Sequence, residues 1–161
     1  MKVLIIDGYV DEPACLGVPP YISPYPRYIA GALRERKISQ NEIFYVTIDQ
    51  LRMASFEDRK IIESADIVIV IAGMTVPGKY LRASPINTSE IESIFKAASG
   101  AKVLGGPIRL GFSKEGGSAA ATIGIDEEDV TLAQGDVEAF VYDLFRSNSH
   151  FFNLEGVEHR F

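Results

Sequence analysis

VLII (Val3–Ile6) followed directly by DGYVDEPACLGVPPYISPYPRYIAGALRER (Asp7–Arg36) is the most informative pattern in this chain. The first four residues are aliphatic without polar alternation, which is typical of a strand covered on both faces. The residues that follow are rich in Gly, Pro, Asp, Glu and Tyr, and they lead into an apolar helix that begins at Ser23–Pro24. A strand that ends in acidic and aromatic residues before a helix indicates the ligand site of an open α/β sheet.

Further strands and helices alternate along the chain. Ile67–Ile71 is a second continuous β-branched run, and the more mixed segment Ile43–Thr47 is typical of an outer strand. Weaker patterns predict strands at Lys102–Gly105 and Asp129–Ala133. The helical patterns cover about residues 24–36, 56–64, 89–99 and 136–146. In the third of these helices, Ser89 and Glu92 predict a capping box and Gly100 predicts the end.

Alternating strands and helices predict a parallel sheet with right-handed crossovers. We therefore predict an α/β fold: a flavodoxin-like, Rossmann-like doubly wound parallel sheet of about five strands in the order 2-1-3-4-5, within three layers. Residues 107–128 fit either a short helix or a strand.

The composition limits the classes of function. With 161 residues the chain is about one domain, and its net charge of −6 without a basic run argues against nucleic-acid binding. No apolar run approaches the roughly 20 residues that span a bilayer, and VLII is too short for a signal peptide. The single Cys15 excludes an internal disulfide, which predicts a cytoplasmic protein.

The carboxyl ends of the strands predict where a ligand binds. In a doubly wound sheet the crevice lies beyond these ends, at the point where the strand order reverses. Turn, acidic and aromatic residues follow the first, third and fourth strands. The predicted ligand crevice is lined by Asp7, Tyr9, Asp11, Glu12, Met74, Thr75, Lys79, Gly105, Gly106, Pro107 and Arg109.

Several residues in or near the predicted crevice, and Cys15, admit two interpretations. Asp7, Asp11 and Glu12 either bind a hydroxyl-bearing ligand or a hard metal, or Asp7 caps loop N–H groups while the other two are solvated. Gly105–Pro107 either lets the backbone approach a ligand or forms a sharp strand exit. The tyrosines near this edge form either an aromatic wall or packing under the loop. Cys15 is either a reactive thiol or a small buried group.

Three segments resemble a known family. VPPYISPYPRYIAGALRERK is similar to the segment that opens the N-terminal, cobalamin-binding-like domain of B12-type radical SAM iron–sulfur proteins. KVLGGP resembles the family's apolar strand followed by GGP, and DVTLAQGDVEAFVYDLF resembles its last strand and helix. The three segments occur in the family's order, and DGYVDEPACLGVPPYISPY looks most like an uncharacterised archaeal branch.

The resemblance implies a division of the chain and a dependent function. Residues 1–149 would be the cobalamin-binding-like domain, and residues 150–161 would begin a linker to a C-terminal radical SAM domain. The chain would be an accessory domain that positions or covers a small-molecule substrate and is not catalytic alone. The alternative is a free-standing flavodoxin-like protein that binds a small anionic or nucleotide ligand. The expected partners are the chain's own C-terminal domain or a second copy in a homodimer, with neither nucleic acid nor membrane.

The chain departs from the family's cofactor motifs. The DxHxxG that supplies a cobalt-ligating histidine is absent, because Asp7 is followed by Gly8 and Tyr9. The CxxxCxxC of the radical SAM cluster is absent as well. We therefore expect this chain to hold no cofactor alone, while the parent protein implied by the resemblance would bind a 4Fe–4S cluster and S-adenosylmethionine.

Overall fold

A computed structural model describes residues 1–9, 24–73, 85–106, 108, 129–133 and 135–147, without the side chains of residues 56–58 and 147. The strands are β1 (Val3–Asp7), β2 (Ile43–Thr47), β3 (Ile67–Ile71), β4 (Ala101–Gly105) and β5 (Thr131–Leu132). The α-helices are α1 (Tyr25–Glu35), α2 (Ile48–Met53), α3 (Phe56–Ser64), α4 (Thr88–Ala97) and α5 (Val137–Ser147). A 3₁₀ turn, Gln40–Glu42, precedes β2.

The strands form a parallel sheet in the order β2-β1-β3-β4-β5, which confirms the predicted flavodoxin-like fold. In the register, Val3 of β1 is aligned with Ile43 on one side and Ile67 on the other. Every residue of β1 and β3 is buried, whereas β2 at the sheet edge is half-exposed. The unbroken aliphatic runs therefore mark the strands that are covered on both faces.

Helices cover the two faces of the sheet and produce two apolar layers. On one face, Ile5 and Ile69 pack with Ile29 and Leu33 of α1 and with Val141 of α5. On the other face, the alternate strand residues pack against α2, α3 and α4. Successive side chains of a strand point to opposite faces, so the same short strands contribute to both layers.

The largest differences from the predicted element boundaries concern β5 and α4, which ends at Ala97 rather than just before Gly100. β5 covers only Thr131–Leu132 instead of Asp129–Ala133, because only these two residues are aligned with β4. The capping box of α4 starts at Asn87, not at Ser89. The Asn87 side chain accepts a hydrogen bond from the Glu90 N–H at 2.9 Å, and the Glu90 carboxylate accepts from the Asn87 N–H at 3.0 Å. Asn87 is the better cap here because its side-chain oxygen reaches the third helical N–H.

Helix α2 is absent from the elements predicted from sequence. It begins directly at the end of β2, where Thr47 accepts a hydrogen bond from the Gln50 N–H at 3.2 Å and Gln50 accepts one from the Thr47 N–H at 2.8 Å. The segment is six residues long, which is too short to establish a helical repeat in the sequence. No helix in the described part of the chain is both long enough and apolar enough to cross a membrane.

Candidate functional site at the carboxyl edge of the sheet

All five strands run in the same direction, so their carboxyl ends lie along one edge of the sheet, here called the carboxyl edge. Asp7, Thr47, Ile71, Gly105 and Leu132 end their strands there. Four of the residues predicted to line the crevice are described, and all four lie at or next to this edge. These are Asp7, Tyr9, Gly105 and Gly106. The other seven predicted residues lie outside the described residues: Asp11, Glu12, Met74, Thr75, Lys79, Pro107 and Arg109.

Asp7 places a carboxylate inside the protein at the end of β1. Its side chain is 1% exposed. Asp7 Oδ1 accepts a hydrogen bond from the Tyr9 N–H at 2.9 Å, and Asp7 Oδ2 accepts one from the Tyr45 hydroxyl at 3.2 Å. A buried carboxylate is tolerated when donors satisfy its oxygens. The bond to the residue two positions on is an Asx turn, which fixes how the chain leaves the strand.

Tyr9 has a left-handed backbone conformation, with φ of 64°. This region is unfavourable for a residue with a large side chain, at a cost of about 1–3 kcal/mol. The bond from its N–H to Asp7 holds the conformation, and its hydroxyl donates to Asp49 Oδ2 at 3.1 Å. The ring packs partly buried against the layer that contains α2, α3 and α4. Tyr9 therefore lies at the predicted edge, with its hydroxyl bound to the start of α2.

The two tyrosine hydroxyls remain donors over the physiological pH range. Burial raises the pKa of Tyr9 above its ordinary value. Burial, followed by the charge of Asp7 and the hydrogen bond to it, raises the pKa of Tyr45 more strongly. A hydroxyl beside a carboxylate loses its proton less readily because the product would be a second negative charge.

Gly8 lies where the strand order reverses, between the ends of β1 and β3. Its N–H donates to the Ile71 carbonyl at 2.8 Å, and its carbonyl accepts from the Ile86 N–H at 2.9 Å. A Cβ at Gly8 would lie 2.2 Å from Ile86 Cγ2 and 2.6 Å from the Ile71 carbonyl oxygen. The fully buried Ile86 side chain thus occupies the space beside Gly8.

The two glycines at the end of β4 are explained by contacts within the protein. A Cβ at Gly105 would lie 2.4 Å from Val137 Cγ2 at the start of α5. Gly106 has φ of 96°, and its Cβ would lie 2.5 Å from the Ala72 carbonyl oxygen. These distances favour the interpretation of a sharp strand exit packed against neighbouring chain segments.

An ionic network that we did not predict from sequence connects α2 to α4 beside this edge. Arg52 donates to Glu90 through Nε at 2.8 Å and Nη2 at 2.9 Å, and to Asp49 through Nη1 at 2.8 Å. Its Nη2 also donates to the Pro85 carbonyl at 3.1 Å. The hydrogen bond from Arg52 lowers the pKa of Glu90, and the same bond raises the pKa of Arg52.

Together these contacts form a continuous chain of hydrogen bonds along the carboxyl edge. It runs from Tyr45 through Asp7 and Tyr9 to Asp49, and then through Arg52 to the capping box of α4. The partners of Asp7 and Tyr9 could not be inferred from sequence, because Tyr45 and Asp49 belong to a neighbouring strand and helix. The only sequence pattern that indicates part of this network is the spacing of Asp49 and Arg52, which brings their side chains to one face of a helix.

The residues at this edge do not fit a cobalt-ligating histidine or a cysteine-bound cluster. By the resemblance, Tyr9 stands where a cobalt-ligating histidine would be expected, and its hydroxyl is bound to Asp49. A phenol committed to a carboxylate does not replace an imidazole ligand. Among the described residues, no group of three His, Cys, Asp or Glu side chains is placed to hold a metal. A single cysteine in the sequence also cannot supply the thiolates of a 4Fe–4S cluster.

Two cavities in the described structure are lined by none of the described crevice residues, although the first is bordered by Arg52 and Glu90 of the ionic network. One, of about 270 Å³, lies among α2, α3 and α4 and includes Leu51, Ile62 and Ile94. The other, of about 520 Å³, lies between α1 and α5. Neither is lined by Asp7, Tyr9, Gly105 or Gly106.

Comparison with known proteins gives relatives that are much longer than this chain. It is 41% identical over 156 residues to the uncharacterized protein MJ0274 of Methanocaldococcus jannaschii, in an alignment that covers 92% of this chain and 27% of that protein. It is 49% identical over 115 residues to an uncharacterized protein of Archaeoglobus fulgidus, covering 71% of this chain and 21% of that protein. The chain therefore spans about a quarter of the length of these curated relatives. No family model and no solved structure matches the sequence.

Proposed function

We propose that this chain functions as an accessory domain of a larger radical SAM iron–sulfur protein, where it positions or covers a small-molecule substrate. The observation that carries the proposal is the coverage of the relatives. Nearly all of this chain aligns with MJ0274, but the alignment accounts for only 27% of that protein. Such coverage supports the view that this chain corresponds to one domain of a longer polypeptide that contains further domains.

The positions of the three resembling segments also support the proposal. The first contains α1, the second contains the end of β4 at Gly105 beside the carboxyl edge, and the third contains β5 and most of α5. The three segments follow one another along the chain in the order that the resemblance implies. The assignment of a radical SAM partner itself rests on the sequence resemblance.

The chemistry of the described residues favours a supporting role over catalysis. Asp7 is buried and accepts hydrogen bonds from Tyr9 and Tyr45, and the raised pKa values of both tyrosines keep their hydroxyls protonated. A general base or a nucleophile needs a group that is available to the substrate. In the described part of the edge, the polar groups are engaged with one another and shape the loop exits. We infer that this edge supports the loops that contact the substrate.

The proposal is tested on MJ0274, purified without oxygen and reconstituted with iron and sulfide. We expect the full-length protein to bind iron and labile sulfide in the ratio of a 4Fe–4S cluster and to cleave S-adenosylmethionine on reduction. A variant of MJ0274 that lacks the segment aligned with this chain should retain the cluster. This chain, treated in the same way, should bind no cluster, since it has one cysteine.

The outcomes separate the proposal from the alternative function. Full-length MJ0274 without a cluster, or with a cluster that is lost when the aligned segment is removed, contradicts the accessory role. In the first case, a free-standing protein that binds a small anionic or nucleotide ligand becomes the better explanation. Retention of the cluster with loss of substrate-coupled turnover in the shortened variant is the result we expect.

A further inference from the structure

The groove between α1 and α5 has the features of a ligand site that is separate from the carboxyl edge crevice. It has a volume of about 520 Å³ and lies on the outer side of this helix pair. Its lining includes three small residues, Gly31, Ala32 and Ala139, which leave the space between the helices open. The opposite sides of the same helices pack on the sheet through Leu33 and Val141.

Gly31 has no structural requirement within the described protein. It lies in the middle of α1, and a Cβ built on it would meet no atom within 4 Å. It does not have a positive φ. A glycine in the interior of a helix costs about 1 kcal/mol relative to alanine. Since neither the backbone nor the internal packing calls for glycine, its effect here is to keep the groove open.

Three charged side chains line this groove: Arg27, Glu138 and Asp143. Asp143 forms an ion pair with Arg146 at 3.3 Å, whereas Arg27 and Glu138 form no ion pair with each other. Glu138 Oε2 is buried and has no hydrogen-bond partner. Arg27 lines the groove from α1, and within the described residues its guanidinium lies within 4.0 Å of no carboxylate oxygen. A buried carboxylate oxygen without a donor is costly, and Glu138 as a whole is only partly buried, so a charged donor that enters the groove would relieve this cost. An ammonium group supplies one, and a carboxylate would complement Arg27.

The rim of the groove offers an apolar surface as well. Tyr28 is 56% exposed and lines the groove next to its small-residue floor. An aromatic ring beside an open floor accommodates the hydrocarbon or aromatic part of a ligand. The groove therefore presents a carboxylate, a guanidinium group and an apolar surface within one volume.

We propose that the groove between α1 and α5 binds a free α-amino acid with a large apolar side chain. The ammonium group binds Glu138, the carboxylate binds Arg27, and the side chain lies over Gly31 against Tyr28. This inference does not depend on the proposed function, because the groove is lined by residues of α1 and α5 and by none of the described crevice residues. The ligand class follows from the pair of unmatched charges, since an amine or a carboxylic acid alone would satisfy only one of them.

The test is calorimetric titration of this chain with L-phenylalanine and L-leucine. Two matched probes each lack one charge: phenylalaninamide has no carboxylate, and 3-phenylpropionate has no ammonium group. We expect saturable binding of an amino acid, and affinities at least roughly tenfold weaker for both phenylalanine analogues, because each loses one charged hydrogen-bonding interaction. Glu138→Gln and Arg27→Gln should each weaken amino-acid binding by a similar factor.

Gly31→Leu provides the decisive variant. It should fold, since the added side chain meets no protein atom at its Cβ, and it should abolish binding by filling the groove. Glu35→Gln and Arg34→Gln are controls on the same helix, exposed and outside the groove lining, and should leave binding unchanged. The proposal is wrong if neither amino acid binds, if the analogues bind as tightly as phenylalanine, or if Gly31→Leu binds as well as the unaltered protein.

Discussion

At the scale of single residues, Asp7 connects the end of β1 to the edge strand. Its Oδ2 accepts the Tyr45 hydroxyl at 3.2 Å. We expect Asp7→Asn and Tyr45→Phe each to lower the free energy of unfolding by about 1 kcal/mol, because the first replaces a charged acceptor by an amide and the second removes the donor. The double variant should be more stable than the sum of the two losses predicts, with a coupling energy of about 1 kcal/mol. Urea denaturation of the four proteins measures this coupling.

Tyr28→Phe is the control for this cycle, since the Tyr28 ring is exposed and its hydroxyl has no hydrogen-bond partner among the described residues. It should change the unfolding free energy by only a few tenths of a kcal/mol, on the order expected for a surface substitution. If the double variant loses as much unfolding free energy as the sum of the two single variants, Asp7 and Tyr45 do not form this hydrogen bond.

Two glycines should respond in opposite ways to the same substitution. Gly8→Ala should lower stability by about 3 kcal/mol, because the new Cβ would overlap Ile86 and a backbone carbonyl that cannot move aside. Gly31→Ala should raise it by about 0.5–1 kcal/mol, since α1 gains a better helix former in open space. Thermal unfolding of both variants and of the unaltered protein shows whether each substitution lowers or raises stability. A Gly8→Ala variant as stable as the unaltered protein would rule out the close contact of Ile86 with β1.

At the scale of elements, the pair Arg52–Glu90 joins α2 to α4. The pKa of Glu90 is lowered in the folded protein from its ordinary 4.5. The pair therefore stabilises the fold above pH 4.5, and this contribution is lost as the pH falls through the folded-state pKa of Glu90. Because both side chains are about a quarter exposed, the contribution at neutral pH is about 1 kcal/mol or less.

Glu90→Gln is expected to be less stable than the unaltered protein at neutral pH and equally stable well below pH 4.5. Chemical denaturation over a series of pH values measures the difference between the two proteins. Glu35→Gln, on the exposed face of α1, should follow the unaltered protein over the whole range. If the difference in unfolding free energy between Glu90→Gln and the unaltered protein does not change with pH, the charges of Arg52 and Glu90 do not stabilise the fold.

The central strand β3 tests the sheet itself. Ile69 is completely buried and is aligned with Ile5 of β1 and Val103 of β4. Ile69→Asp should prevent folding, because an unpaired charge there costs an amount comparable to the roughly 5–15 kcal/mol stability of a domain. Met53→Asp is the control, since Met53 is 88% exposed at the end of α2. Circular dichroism of the soluble fractions should show a folded Met53→Asp variant and no folded Ile69→Asp variant.

The sheet was predictable because the patterns that indicate its strands are local in the sequence. Unbroken aliphatic runs such as Ile67–Ile71 identify buried strands, and the alternation with helices determines the parallel order. Helix α2 and the shortened β5 were not predictable. The former has too few residues for a repeat, and the extent of the latter depends on its pairing with β4. The cap at Asn87 was missed because Ser89 and Glu92 have the same spacing as the pair that forms the box.

At the scale of the whole molecule, the carboxyl edge was predicted as the location of the crevice residues, but their contacts were not. The switch-point rule locates Asp7 and Gly105 on one edge from strand order alone. The partners Tyr45 and Asp49 come from elements more than thirty residues away in sequence, so no local pattern indicates them. The lining of the crevice itself stays a prediction, since seven of its residues lie outside the described part of the chain.

Cobalamin binding tests the carboxyl edge as a whole. A cobalamin held through a histidine needs an imidazole after β1 and open space where the strand order reverses. This chain has Tyr9 at the first position, bound to Asp49, and the Ile86 side chain beside Gly8 at the second. We therefore expect titration with hydroxocobalamin, followed by its visible absorbance, to give weak binding or none. Binding in the micromolar range that weakens in Asp7→Asn or Gly106→Ala variants would contradict this, and it would show that the edge accepts the corrin without a ligand from the protein to cobalt.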